Sequence, residues 1–197
     1  MEDEQAFRAE LQRMSALLDQ AAFPWAVAAG AGVYLYTRSR MPTDLDLLVR
    51  PEDLESAAAR VESWIEPPKG QVELKGTRGQ AVRLSADKVP AGPSEIVGRI
   101  SIQVGREIYP YFMDDEMVDR LRRVAFRDLD VPVLAPEDLI AFKAVAQRGR
   151  EQGKHDLEDV AALAERLEID GTYLRWRLEK MGALERALPV VGTIIGD

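Results

Sequence analysis

Apolar positions along this chain change their period several times, and each change marks an element. Phe7, Leu11, Met14, Leu17 and Leu18 recur at helical spacing, which predicts an amphipathic helix over the first twenty residues, ended by Pro24. Residues 25–29 form a short apolar run suited to a buried strand, and small residues at 28–32 then lead into a helix through Val33, Tyr34, Leu35 and Tyr36. A polar stretch, residues 37–43, precedes residues 44–49, an apolar segment interrupted by two acids and read as a strand. Pro51, with Glu52 and Asp53 near the positive end of the helix dipole, opens a helix expected to reach Trp64, closed by Pro67, Pro68 and Gly70.

Residues 71–84 then suggest a hairpin about residues 76–79, and residues 89–94 a loop rich in proline and glycine. Ile100, Ile102 and Val104 alternate with polar residues before Gly105-Arg106 turns the chain into residues 107–112, a second hairpin. Asp114 suits the cap of a helix carrying Met117, Val118, Leu121 and Val124, and residues 131–134 read as a further strand. After Pro136 the pattern turns helical, through Leu139, Ile140, Phe142 and Val145, then Leu157, Val160, Ala161 and Leu163, then Tyr173, Leu174 and Leu178. The expected fold class is mixed α/β (α+β), a sheet with flanking helices over residues 1–134 and a helical region, residues 135–197, packed on it.

Composition narrows the chemistry. The 197 residues include no cysteine and one histidine, His155, which removes disulfides, thiolate metal sites, a cysteine nucleophile and multi-histidine zinc sites. Carboxylates, lysines, arginines, hydroxyls and hard metals remain. An acidic start and the lack of an apolar run near the roughly 18 residues of a membrane span predict a cytoplasmic protein with no membrane partner. The net charge of -8 argues against a broad non-specific grip on nucleic acid, although a local basic cluster can still hold phosphates.

Asp44 and Asp46 are the chemical centre of the sequence. On a strand they share one face, roughly 6 to 7 Å apart, while Leu45 and Leu47 face the core. Two carboxylates so close repel unless a cation lies between them, and magnesium is held by one or two carboxylates together with substrate phosphates. Upstream, Ala29, Gly30 and Ala31 allow close backbone approach, and the helix that follows offers free amides to an anion. Arg38 and Arg40 complete a candidate triphosphate site.

Ala29-Gly30, thirteen residues, then Asp44-Leu45-Asp46 resembles the signature of the polymerase-beta-like nucleotidyltransferases, with Arg40, Thr43 and Leu47-Leu48-Val49 similar to its small bacterial and archaeal members. A second block, Pro136-Glu137-Asp138-Leu139-Ile140-Ala141-Phe142-Lys143, continuing through Arg148 to Lys154-His155-Asp156-Leu157-Glu158-Asp159, is similar to the C-terminal block of the same proteins. One departure stands out: the family usually has glycine and then glycine or serine where this chain has Ala29-Gly30. The resemblance implies a nucleotidyltransferase-like sheet and transfer of a nucleoside monophosphate from a nucleoside triphosphate (NTP), with Mg2+ or Mn2+, to a hydroxyl of an RNA, protein or small molecule. Several members are toxins beside an antitoxin, so an antitoxin partner is also implied.

The resemblance further implies a third acid. Glu107, at the start of a strand, is the candidate, with Asp114 and Asp115 as alternatives whose simpler reading is helix capping. The catalytic and metal set is thus Asp44, Asp46 and Glu107, and the nucleotide set Gly30, Ala31, Arg38, Arg40, Thr43 and Lys143. Lys143 is equally a buried-stem lysine, and Asp156 and Asp159, three apart on a helix, are read mainly as its support or that of Arg148. His155 is given no catalytic role, and Trp25, Trp64 and Trp176 are read as core or interface. Two rival readings are a catalytically inactive binding or regulatory module on this fold and a sugar-nucleotide glycosyltransferase using the Asp-x-Asp pair. The amphipathic first helix and the apolar residues 190–195 suggest a homodimer contact.

Overall fold

The computed structural model describes residues 2–61, 70–74, 77–83 and 94–196. The chain runs α1 (Glu2–Leu18), β1 (Trp25–Val27), α2 (Ala29–Thr37), β2 (Asp46–Val49), then a 3-10 turn (Pro51–Asp53) leading into α3 (Leu54–Arg60). It continues β3 (Gly70–Leu74), β4 (Thr77–Arg83), β5 (Glu95–Val104), β6 (Glu107–Phe112), α4 (Asp115–Asp119), β7 (Arg122–Phe126) and β8 (Leu129–Val133). Four helices follow: α5 (Pro136–Ala146), α6 (Asp156–Arg166), α7 (Gly171–Lys180) and α8 (Leu184–Ile195). The strands form one mixed sheet in the order β3-β4-β5-β2-β1-β8-β7, with β6 paired to β5. One edge of β5 is shared: β2 lies parallel to residues 95–97 and β6 antiparallel to residues 99–104.

Alternation along β2 divides the protein into two packed layers. Leu45, Leu47 and Val49 face a cluster with Phe7, Leu11, Met14 and Leu18 of α1, whereas Leu48 faces a cluster built with Leu139, Ile140, Leu163, Leu174 and Val191 of the C-terminal helices. A short apolar strand buried on both faces is what a sheet covered by helices on each side demands. Phe7, Tyr34 and Phe126 meet edge to face with centroids 5.6 to 6.0 Å apart, fixing α1 and α2 against β7. Such pairs add about 0.5–1.5 kcal/mol each beyond the area they bury.

The second layer is pinned by a buried charge cluster. Arg177 of α7 pairs with Asp138 of α5 at 3.1 Å and with Asp114, whose other oxygen accepts the Met117 amide and caps α4. Tyr173 donates its hydroxyl to Asp138 at 2.9 Å and Tyr111 of β6 donates to the Asp138 carbonyl at 3.0 Å. Burial pushes the Asp138 carboxyl up to about 7 despite the opposing pull of Arg177. Helices and sheet are therefore joined by polar contacts as well as by the apolar cluster.

Several elements differ from the sequence expectation for identifiable reasons. The helix expected through Val124 stops at Asp119, and Val124 lies in β7, where it pairs with Val131; the β-rich Arg122–Phe126 segment is stabilised by the hairpin with β8. Ala29 belongs to α2 rather than the preceding strand, and Asp44 lies in a bend before β2. In the first hairpin Leu74 pairs with Thr77, so Gly79 is inside β4. Trp64, Pro67 and Pro68, and residues 89–93, fall outside the described residues. The apolar residues 190–195 belong to α8, with Val191 buried in the second layer and Val190, Ile194 and Ile195 half-buried against it. No helix of the described residues is long and apolar enough to cross a membrane.

Candidate functional site

The sheet topology brings acids together that the sequence keeps apart. Parallel pairing sets Asp46 at the start of β2 directly beside Glu95 at the start of β5, and Asp44 precedes them in the bend. All three line one cavity of about 250 Å³. Glu107 does not join them: it sits at the far end of the β5–β6 hairpin, exposed, hydrogen-bonded to Tyr109, in a separate cleft. From Glu95 to the partner of Glu107, Val104, is nine strand steps, about 30 Å at roughly 3.3 Å per residue. Asp114 and Asp115 also lie away from the cavity, the former as a helix cap and the latter paired with Arg50. The third acid beside the pair is thus Glu95, which sequence reasoning missed because alternation in β5 becomes visible only from Ile100. The available signal was an acid, Glu95, opening the β-branched run Ile96-Val97.

Two of the three carboxylates are pushed toward the neutral form. Asp46 is half-buried, and loss of water, followed by the charges of Asp44 and Glu95, pushes its carboxyl up to about 8. Burial also raises Glu95, opposed by Arg83, which donates through Nε and Nη2 to Glu95 Oε1 at 3.2 and 3.0 Å. Among the described residues no three His, Cys, Asp or Glu side chains are grouped so as to hold a metal ion by themselves. The donor set nonetheless fits a hard divalent ion, because excess negative charge on oxygen, confined beside a cavity, is relieved by a cation whose remaining ligands come from substrate phosphates.

The opposite wall supplies the anion-binding features. Ala28 caps α2 in extended conformation, its amide donating to the Asp46 carbonyl at 2.9 Å, so the start of α2 is locked to the start of β2. Gly30 lines the cavity, and a methyl group there would lie 3.9 Å from Arg40 Nη2 in otherwise open space. Ala29 holds a left-handed backbone, φ +48°, a conformation that suits the glycine found in the resembling family and strains an alanine. Arg40 and Thr43 also line the cavity.

Two of the expected nucleotide residues face elsewhere. Ala31 is buried in the α1 layer, about 200° around the helix from Ala29 at roughly 100° per residue. Arg38 follows the end of α2 in a left-handed conformation, lies over the Phe126 and Tyr34 rings at 4.6 and 5.5 Å, and donates to the Ala125 and Tyr34 carbonyls. It is a packing and capping residue.

The C-terminal helices complete the cavity with cations. Lys143 of α5 is buried and reaches Asp159 Oδ2 at 2.7 Å and Asp156 Oδ1 at 3.2 Å, both on α6. Asp156 also accepts from Arg148 Nε at 2.8 Å and from the Arg148 amide at 2.9 Å, which closes the loop between the two helices. Burial favours the neutral acid, yet the Arg148 hydrogen bonds and Lys143 hold Asp156 below the usual carboxylate range. Asp156 and Asp159 therefore support Lys143 and Arg148, and Arg40 reaches Asp159 at 3.3 Å. Lys154 and His155, presented by the same loop, line the cavity too. Nothing in periodicity or spacing distinguishes these two from ordinary loop residues; the loop closure on Asp156 places them.

A solved structure from Thermotoga maritima, TM1012, assigned as a nucleotidyltransferase, superposes with a TM-score of 0.57 at 16% identity, covering 74% of this chain and 86% of that one. ANT(2″)-Ia, solved in complex with adenylyl-2″-tobramycin, gives a TM-score of 0.58 at 13% identity over 91% of this chain and 99% of that one. At these identities the likeness is one of fold. No curated protein matches in sequence. A family model described as the nucleotidyl transferase AbiEii toxin of type IV toxin–antitoxin systems matches residues 30–189, spanning the turn at Gly30, the carboxylates and the Lys143 to Asp159 block, and the chain belongs to that family.

Proposed function

We propose that the protein transfers a nucleoside monophosphate from a nucleoside triphosphate to a hydroxyl of an acceptor, with Asp44 and Asp46 as divalent-metal ligands and Glu95 as the third acid. The observation that carries this reading is the convergence on one cavity of three carboxylates, the start of α2 at Gly30, and the cations Arg40, Lys143, Arg148 and Lys154. A divalent ion bound there would neutralise phosphate oxygens and favour the ionised acceptor hydroxyl. Gly30 leaves room for phosphates against the free amides of α2, and Arg40 with Thr43 closes over them. The acceptor oxygen attacks the α-phosphorus, its proton passes to Glu95, and pyrophosphate leaves. Lys143 is held in place by Asp156 and Asp159 at the edge of the same cavity.

The type IV toxin–antitoxin family supports an antitoxin as a partner of this chain. The acceptor class is an RNA, a protein or a small molecule. Incubating wild type and Asp46→Asn with α-labelled nucleoside triphosphates, Mg2+ and a cell extract reads both activity and acceptor. Label on one of the three classes, lost in the variant, is expected. Equal labelling with both proteins, or none with wild type, sinks the proposal.

A further inference from the structure

A buried carboxylate on α1 has no place in the reaction described so far. Glu10 lies on the helix face that also carries Phe7, Leu11 and Met14, and is as buried as they are, at 1% exposure. Burying a carboxylate among apolar side chains is costly unless it is hydrogen-bonded. Glu10 Oε1 accepts the Ser94 hydroxyl at 3.0 Å, and Ser94 is itself fully buried, immediately before Glu95. The Ser94 oxygen in turn accepts the amide of Leu45 at 3.0 Å. Leu45 separates the two aspartates and precedes the first ladder pair, Asp46 with Glu95. Where backbone pairing between β2 and β5 has not begun, a side chain supplies the connection.

A hydroxyl has one proton and two lone pairs. When that proton is directed to Glu10, the oxygen is left facing Leu45 as an acceptor. The peptide joining Asp44 to Leu45 is thereby tied to the residue next to Glu95, and all three carboxylates are referred to one point. The α1 helix lies outside residues 30–189, the part matched by the family model, so this connection comes from a segment that the family resemblance does not cover.

We infer that Ser94, oriented by Glu10, is a positioning residue that sets the separation of Asp44 from Asp46 and Glu95 and so the affinity of the site for a divalent cation. The inference rests on the metal-site reading proposed above. Groups that orient metal ligands are worth about 10- to 100-fold in affinity or activity.

The test uses the full chain, stripped of metal and titrated with Mn2+, with hydrogen exchange of the Leu45 amide as a second readout. Ser94→Ala is expected to weaken Mn2+ binding by about 10- to 100-fold and to speed exchange at Leu45. Ser94→Thr, which keeps the hydroxyl, restores both. Glu10→Gln keeps an acceptor oxygen and stays near wild type, whereas Glu10→Met reproduces Ser94→Ala; combining Ser94→Ala with Glu10→Met weakens binding no further than either alone. Should Ser94→Ala fail to fold, the two Glu10 variants carry the same comparison. Folded Ser94→Ala binding Mn2+ as wild type does, or additive losses in the double variant, overturns the inference. Failure of wild type to bind Mn2+ overturns the metal reading instead, and Leu45 exchange then decides alone whether Ser94 holds the segment.

Discussion

Replacing Asp46 by asparagine should stabilise the metal-free protein while abolishing its chemistry, and the gain should grow with pH. The carboxyl ordinarily titrates at 3.8 and is pushed up to about 8 in the fold by burial and then by Asp44 and Glu95. A raised acid contributes its full share of stability below pH 4. That share is lost as the pH rises toward 8, because the unfolded chain ionises first. At about 1.36 kcal/mol per pH unit, the loss at pH 7 has an upper bound of about 4 kcal/mol. A chain of this size shifts its melting temperature by about 2–4 °C per kcal/mol. Asparagine keeps the shape and carries no charge. Thermal melts in EDTA, compared between wild type and Asp46→Asn, should differ little at pH 4.5 and by about 5 °C or more at pH 8, the variant melting higher. Taking the difference between the two proteins cancels Asp138, whose own carboxyl sits at about 7. Mg2+ should raise the melting temperature of wild type at pH 8 and leave the variant unmoved. A variant that melts at or below wild type across this range would refute the claim that burial and then neighbouring charge, rather than favourable pairing, dominate at Asp46.

Three further outcomes follow from the same geometry. Glu95→Gln should lose about 100-fold or more in nucleotidyl transfer while Glu107→Gln keeps wild-type rates; the reverse pattern in a steady-state assay restores Glu107 as the third acid. Ala29→Gly relieves a left-handed alanine worth about 1–2 kcal/mol and concedes about 0.4–1 kcal/mol of unfolded-chain entropy, so calorimetry should find a melting temperature higher by about 1–3 °C, and a drop would show that φ +48° is unstrained here. Lys143→Met leaves Asp156 and Asp159 buried without their shared cation, and urea unfolding should report a loss of about 3 kcal/mol. A loss under about 1 kcal/mol would mean that Arg148 and Arg40 alone suffice.

Local patterns carried the reading of this sequence as far as local forces decide the structure. The α1 stripe, the capping aspartate Asp114 and the Lys143–Asp156–Asp159 cluster follow from spacing along one or two neighbouring helices. The third acid does not, because Glu95 meets Asp46 through parallel pairing of strands separated by more than forty residues, and register between distant strands leaves no mark on either one. Ala31 and Arg38 lie close in sequence to Gly30 and Arg40, but helix rotation turns Ala31 into the core, and Arg38, itself left-handed at the end of α2, packs its guanidinium over Phe126. The β7 strand was hidden because Met117, Val118, Leu121 and Val124 also fit a helical period, and only the hairpin with β8 favours the extended form.

The apolar cluster behind the cavity has a consequence for how this chain can be divided. Its members include Leu48, Val97, Ile100 and Tyr111 from the sheet and Leu139, Phe142, Leu163 and Leu174 from the C-terminal helices, with no separate core for either group on that face. Cutting the backbone after Leu134 would leave one piece with the carboxylates, Gly30 and Arg40 and a second with Lys143, Arg148 and Lys154, each displaying part of one water-excluding surface. The two exposed surfaces match, because they form one cluster in the intact chain. Co-expressed fragments should therefore reassociate, and recovered transfer activity becomes a direct report of contact between whatever two proteins carry them.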